Sequence, residues 1–370
     1  MDTACSSSLV AFNTAMRDLK SGLITRAIVG GVSIVMDPGV TKSFCSYNML
    51  SPTGKCQSFD AAANGYVRAD AIGCVLLESE SVSKCGYMRV LGSGVNSDGW
   101  KKEGITFPSS DRQIELCRDV CAEFDIDPTS VVYVEAHGTG TTVGDKQEVR
   151  AIDTVFGGSG DDAKSTLIGS IKSNMGHSEG ASGIMALIKV IGILASNTIP
   201  QNLHFNPPTV HEPIISGRLQ VVAQTIPFPC SEVVQESRVA VNNFGFGGTN
   251  AHVIGEKGYS KDQTYHTTST GTDCTSTNDA DGETTRWIFG RTETCLQEYV
   301  ARGDLHPAAW NKMMRSSAAT DKFPYRGVVE HGLLVDVDQI PVEKPHIAFC
   351  YSGQGCQWEG MASDLYEDNA

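Results

Sequence analysis

The sequence predicts an α/β protein, a sheet covered by helices on both faces. Three observations carry that expectation. Short apolar runs alternate with stretches of helical periodicity. Polar, glycine-rich loops leave the ends of three of those runs, where such folds place their sites. Near the N-terminus, Leu9, Phe12, Met16, Leu19 and Leu23 recur at helical spacing just after a cysteine, Cys5.

Cys5 lies among small residues, with three serines after it. The thiol is expected at the first turn of the helix, whose partial positive charge favours a thiolate. Most free cysteines are small buried hydrophobes, so Cys5 alone decides nothing.

Residues 27–35 read as a buried strand with a glycine pair, followed by a helix and a turn at 49–55. Residues 59–68 read as a loop, and 71–77 and 88–95 as buried strands. Helical periodicity returns over 113–124. A strand at 131–136 runs into His137-Gly138-Thr139-Gly140-Thr141, and one at 167–170 runs towards Lys172 and Gly176-His177. An apolar helix over 182–194 follows, then strands at 219–222 and 238–242. The second of these leads into Phe244-Gly245-Phe246-Gly247-Gly248-Thr249-Asn250 and a last strand at 251–254.

After Gly258 the composition shifts. Residues 265–285 are rich in Thr, Ser, Asp and Gly and read as a flexible linker. Helices are expected around 292–302 and 307–314, and a strand at 345–351 that opens a further domain.

The formal net charge of −14 argues against a nucleic-acid surface and a polybasic membrane face. The most apolar stretch, 181–195, contains Lys189 and reads as a buried helix rather than a membrane span. The 12 cysteines are scattered, without CxxC or a secretory signal, which points to a reducing, cytoplasmic setting. The chain opens directly on the Cys5 motif without a lead-in strand, so an N-terminal part of the fold is expected to be missing.

A thiolate can hold an acyl group as a thioester. A neutral imidazole can donate a hydrogen bond to a thioester oxygen on which negative charge develops. Two such donors, His137 and His177, would stabilise the enolate left when a malonyl thioester loses carbon dioxide. The glycines beside them would leave room for a long substrate arm. Each residue also has a plainer reading. The histidines could be loop residues, Lys172 a solvated charge, and Asp145 and Glu148 charges on the first turns of a helix. A zinc site fails on sequence spacing, since no ligands fall in a recognised pattern.

Taken together, DTACSSSL, VEAHGTGT followed by GD, IKSNMGH and NFGFGGTNAH, in this order, resemble the β-ketoacyl synthase domain of type I fatty acid and polyketide synthases. The resemblance runs from Met1 to about Ile254. It implies a layered, thiolase-like αβαβα fold. By motif, Cys5 would be the acyl-accepting nucleophile and His137 and His177 the decarboxylation and condensation pair. Lys172 would support His177. Asp145, Glu148, Thr139, Thr141 and Asn243 would help to hold the site. The backbone N–H groups of Cys5 and Phe246 would form the oxyanion hole.

The resemblance implies no cofactor or metal in this region, with substrates carried on the phosphopantetheine of an acyl carrier protein. Partners would be that carrier domain, other domains of the same chain and a second copy. Residues 65–68, 96–109, 202–205 and 217–222 look more like animal fatty acid synthase than bacterial modular polyketide synthases. Residues 351–361 resemble the opening of a malonyl/acyl transferase domain. Lys146 stands where the family usually has proline, and Ala69-Asp70-Ala71 departs from its usual Ser-Glu-Gly or Ser-Glu-Ala. The expected division is a partial synthase domain at 1–257, a linker at 258–286, an α+β adaptor at 287–344 and a truncated transferase start at 345–370. Alternatives are a polyketide condensing domain, an inactive scaffold, and thiolase-type cleavage, which usually has a cysteine in place of the second histidine.

Overall fold

The first helix, α1 (Ser7–Lys20), buries Leu9, Ala11, Phe12 and Ala15 along one stripe and places Arg17 and Lys20 at its negative end. β1 (Arg26–Ser33), α2 (Pro38–Ser46) and β2 (Ala71–Glu78) follow. Asp37 caps α2 by accepting from the Gly39 N–H, with Pro38 at the first helical position. Next come β3 (Met88–Ser97), α3 (Ser110–Glu123), β4 (Val131–Glu135), α4 (Thr142–Phe156), β5 (Thr166–Gly169), α5 (Lys172–Met175) and α6 (Ser182–Ser196). β6 (Thr198–Ile199), α7 (Glu212–Ile215), β7 (Leu219–Val221), β8 (Ile226–Pro227), β9 (Arg238–Phe244) and β10 (Thr249–Lys257) complete this part. The structure, a computed structural model, describes residues 1–158, 165–229, 237–258, 286–290, 293–294, 296–297, 325–330 and 333–339. These fall into two compact units, one within Met1–Ser269 and one within Thr270–Ile347.

Six strands of the first unit form one mixed sheet in the order β3-β10-β9-β4-β5-β7. β9, β4, β5 and β7 run parallel, and β10 is antiparallel to both β3 and β9. The pleat sends alternate residues of β9 to opposite faces. Val239 and Val241 join Leu9, Phe12, Ile184 and Leu187 beneath α1 and α6. Ala240 joins Leu116, Val120, Val149 and Ile152 beneath α3 and α4.

On the far side of α1 and α6, β1 and β2 pair antiparallel as a second sheet that packs against both helices. The described layers are therefore helix, sheet, helix and sheet, an arrangement that agrees with the thiolase-like expectation. The sequence reading treated 27–35 and 71–77 as buried strands. The structure corrects this, because only the inner face of β1 and β2 is covered. Ile28, Ile72 and Leu76 point outward at 55%, 70% and 61% exposure.

The stretch Glu179–Ser196, with mean hydropathy 1.5, is long and apolar enough to cross a membrane, yet 67% of it is buried inside the protein. Lys189, which interrupts it, pairs with buried Glu135 at 2.7 Å. The core-helix reading therefore holds.

In the second unit β11 (Arg286–Gly290), β12 (Tyr325–Glu330) and β13 (Leu333–Gln339) form an antiparallel sheet in that order. None of these strands was read from the sequence, and β11 begins at the last residue assigned to the linker. The linker at 265–285, the helix at 307–314, most of the helix at 292–302 and the strand at 345–351 lie outside the described residues.

Candidate active site

The site is built first on a tight turn. Cys5 lies two residues before the start of α1, and Ala4 before it adopts φ +57°, a conformation that side-chain-bearing residues rarely take. The serines after Cys5 brace that turn. Ser7 Oγ accepts from the Thr3 N–H at 2.9 Å and donates to the Ala4 carbonyl at 2.6 Å. Ser6 Oγ donates to the Thr3 carbonyl at 3.0 Å. Ser8 Oγ accepts from the Ile184 N–H at 3.2 Å, which ties the turn to α6.

The backbone N–H groups of Phe246 and of Cys5 itself both bond towards the sulfur. They, and the charge on Lys172, favour a thiolate. Burial outweighs them, with Glu179 adding to its effect, and pushes the thiol up to about 11. The expectation of a thiolate made by the helix terminus is thereby corrected, since desolvation wins over the helix end.

His137 follows β4, and His177 follows α5. The His177 Nε2 lies 3.1 Å from Cys5 Sγ, and the two imidazole rings are 5.4 Å apart at 88°. The His177 Nδ1 accepts the Glu179 backbone N–H at 3.1 Å. A ring nitrogen that accepts carries no proton, so a neutral His177 carries its proton on Nε2, facing the sulfur. Glu179 itself has φ +40°. Its carboxylate is gripped by Arg68 through Nε at 2.5 Å and a terminal nitrogen at 3.1 Å. Burial, and then the Lys172 charge, hold both histidines well below the usual histidine range, so both are neutral near pH 7.

Asp145 and Glu148 are buried on α4, where they tie loops together. Glu148 accepts the N–H groups of His137 and Gly138, each at 2.7 Å, and the Asn242 amide at 3.3 Å. Asp145 accepts the N–H groups of Phe59 at 2.7 Å and Gly140 at 3.1 Å. Burial pushes Asp145 up to about 7 and raises Glu148, while these N–H groups pull both down. Lys172 is likewise no solvated charge. It is 1% exposed, its Nζ has no hydrogen-bond partner, and burial lowers its pKa against the pull of Glu135 and Glu148.

One expectation changes its physical meaning. A Cβ on Gly138 would strike Ser170 at 2.7 Å, and one on Gly176 would press on Ala69 at 3.1 Å. These glycines let protein segments pack together rather than making room for a substrate arm. Room is provided by a cleft of about 360 Å³, lined by Cys5, His137, His177, Thr139, Thr141 and Phe246 among others. The two threonine hydroxyls touch at 3.1 Å. Asn243 Nδ2 reaches the His137 Nδ1 at 3.1 Å. Lys146 is exposed on α4.

All the residues singled out from the sequence therefore converge on one site. Arg68, Glu179, Ser182 and Glu135 were not singled out. Arg68 and Glu179 are 111 positions apart, and no local pattern links them.

The donor atoms of Cys5, His137 and His177 lie within 4.8 Å of one another, a set that could hold a metal ion despite its sequence spacing. Two features oppose a cation. The positive charge of Lys172 acts on all three groups. His177 also turns an N–H, not a lone pair, towards the shared space.

The chain shares its sequence and fold with ketosynthase domains. The fold resembles the ketosynthase from module 6 of the bacillaene synthase of Bacillus subtilis 168, with a TM-score of 0.67 and 31% identity over 91% of this chain and 57% of that one. Family models match in series: the β-ketoacyl synthase N-terminal domain at residues 1–83, its C-terminal domain at 87–206, and the ketoacyl-synthetase C-terminal extension at 208–329. The chain belongs to the β-ketoacyl synthase family.

It is 43% identical, over 68% of its length, to a highly reducing polyketide synthase of Alternaria alternata. It is 34% identical, over its whole length, to a phenolphthiocerol/phthiocerol polyketide synthase of Mycobacterium tuberculosis. It spans only 9% and 20% of those two proteins.

Proposed function

We propose that the chain carries out decarboxylative condensation of an acyl group held on Cys5 with a malonyl thioester. The reading is supported most by one observation, the close placement of the Cys5 sulfur and two neutral imidazoles. In the first step Cys5 Sγ attacks the acyl thioester of a carrier. The carrier leaves as its thiol, taking the proton that Cys5 gives up. The oxyanion that forms is held by the N–H groups of Cys5 and Phe246.

A malonyl thioester then enters the cleft, with its carbonyl oxygen placed against His137 and His177. Carbon dioxide leaves, and the electron pair of the broken C–C bond becomes an enolate. The enolate carbon attacks the acyl-cysteine carbonyl. A new C–C bond forms, Cys5 departs as a thiolate and is reprotonated from solvent, and a 3-oxoacyl thioester remains. Burial, helped by the Lys172 charge, keeps the imidazoles neutral, and that charge also favours the enolate as it forms. The threonines Thr139 and Thr141 offer hydroxyls to the carrier's arm.

The product class has two readings. A polyketide product is supported by the named relatives. A fatty acid product rests on the stretches 65–68 and 96–109, which look like animal fatty acid synthase. The proposal includes an acyl carrier domain on the same polypeptide, a second copy as dimer partner, a cytoplasmic setting, and the division at 257, 286 and 344.

Mass spectrometry after incubation of the full polypeptide with an acyl thioester tests the reading. An acyl adduct on Cys5 is expected in the wild type and in His137→Ala and His177→Ala. Release of carbon dioxide from malonyl carrier is expected to fall by about 100-fold in either histidine variant, the usual cost of losing one oxyanion donor. A wild type that acquires no adduct contradicts the proposal.

A further inference from the structure

The Cys5 carbonyl, Ser182, Asn243 and His137 form a continuous hydrogen-bonded chain. Ser182, at the start of α6, donates its hydroxyl to the Cys5 carbonyl at 3.0 Å. Its oxygen also lies 3.0 Å from Asn243 Nδ2, which in turn lies 3.1 Å from the His137 Nδ1. Ser182 is 1% and Asn243 0% exposed, so water cannot replace these bonds.

The direction of the chain follows from counting donors. The one hydroxyl proton of Ser182 goes to the Cys5 carbonyl, so its oxygen can only accept from Asn243. That turns the Asn243 NH2 towards both Ser182 and His137 and leaves Oδ1 as the buried atom without a partner. The opposite orientation would bury an NH2 with two unmet donors. It would also make the Cys5 carbonyl and Asn243 Oδ1 compete for one hydroxyl proton. Leaving a single acceptor unmet is the smaller loss.

We propose that Ser182 and Asn243 are positioning residues that lock His137 in its Nε2–H form. The Asn243 NH2 requires the His137 Nδ1 to be an acceptor, so the proton sits on Nε2, the nitrogen free to face the thioester oxygen. Ser182 sets this choice from the nucleophile's own backbone. The turn that carries Cys5 thus also fixes the donor that His137 presents. This inference rests on the condensing reading for its consequence, although not for the tautomer itself.

The test uses the full polypeptide and two variants. Asn243→Asp replaces a donor by an acceptor of the same shape, so the His137 proton should move to Nδ1. Ser182→Ala removes only the hydroxyl and keeps the fold testable if the buried carboxylate does not fold. Solid-state 15N spectra of histidine-labelled protein, assigned by subtracting the His137→Gln spectrum, should show Nε2–H in the wild type. They should show Nδ1–H in Asn243→Asp and a mixture in Ser182→Ala. Release of carbon dioxide from malonyl carrier should fall by about 100-fold and about 10-fold respectively. Acyl loading of Cys5, which uses other donors, should fall clearly less than carbon dioxide release in each variant.

An Nε2–H signal that persists in both variants overturns the inference, as does unchanged carbon dioxide release alongside a shifted tautomer. If the tautomers move as stated while wild type releases no carbon dioxide, the lock stands and the condensing reading falls.

Discussion

Cys5 is held between opposing influences, and its resting state follows from their sum. Two N–H groups and a lysine favour the thiolate, while burial favours the thiol and wins. The thiol, pushed up to about 11, should therefore be mostly protonated at neutral pH. Alkylation by iodoacetamide should rise with pH beyond 9, with about 300-fold less thiolate at pH 7 than an exposed cysteine has. A rate that levels off near pH 8 would show that burial is offset more fully than the structure indicates. At this scale the sequence was legible for residue types. Cys5, His137, Lys172 and His177 could be picked out by chemistry and motif. The charge state was not legible, because it depends on burial, and then on the charge of Glu179, both set by parts of the chain distant in sequence.

The elements bring those residues together, with α1 presenting Cys5 at its start and the loop after β9 laying Phe246 beside it. Gly245 makes that approach possible. A Cβ there would overlap the Thr3 carbonyl and lie 2.9 Å from Ser6 Oγ. Gly245→Ala should displace the Phe246 N–H and lower acyl loading of Cys5 by about 100-fold, the cost of a misplacement near 1 Å, while circular dichroism stays unchanged. Unchanged loading would mean that the Phe246 N–H is not used. Most elements of the first unit were legible from periodicity, because apolar runs such as 131–136 are bounded by glycine-rich loops. The outward face of β2 was not legible. Ile72 and Leu76 are as apolar as a buried strand's residues, and only the position of α6 shows which face is covered. Strands β12 and β13 lie where no glycine-rich motif drew attention, and the sequence reading passed over them.

Over the whole first unit, layering decides where chemistry can occur. The sheet and α4 fix His137, α5 and α6 fix Lys172 and His177, and the turn before α1 brings the nucleophile against them. The net charge of −14 says nothing about the cleft, where buried Lys172 acts on all three reacting groups. The layered class was legible from the alternation of strands and helices. The contact between Arg68 and Glu179 that steadies His177 was not, since it exists only once the second sheet has packed on α6.

The central claim is a division of labour, with Cys5 holding the acyl group and the histidines activating malonyl. It is tested most directly by measuring carbon dioxide release and 3-oxoacyl product for Cys5→Gln and Cys5→Ala beside the wild type. Glutamine at this position places an amide oxygen where an acyl-cysteine oxygen would sit, among the N–H groups of residues 5 and 246. The account predicts that both variants lose condensation while Cys5→Gln still releases carbon dioxide from malonyl carrier. Condensation that survives in Cys5→Ala, or a Cys5→Gln variant that releases no carbon dioxide while wild type does, would contradict it.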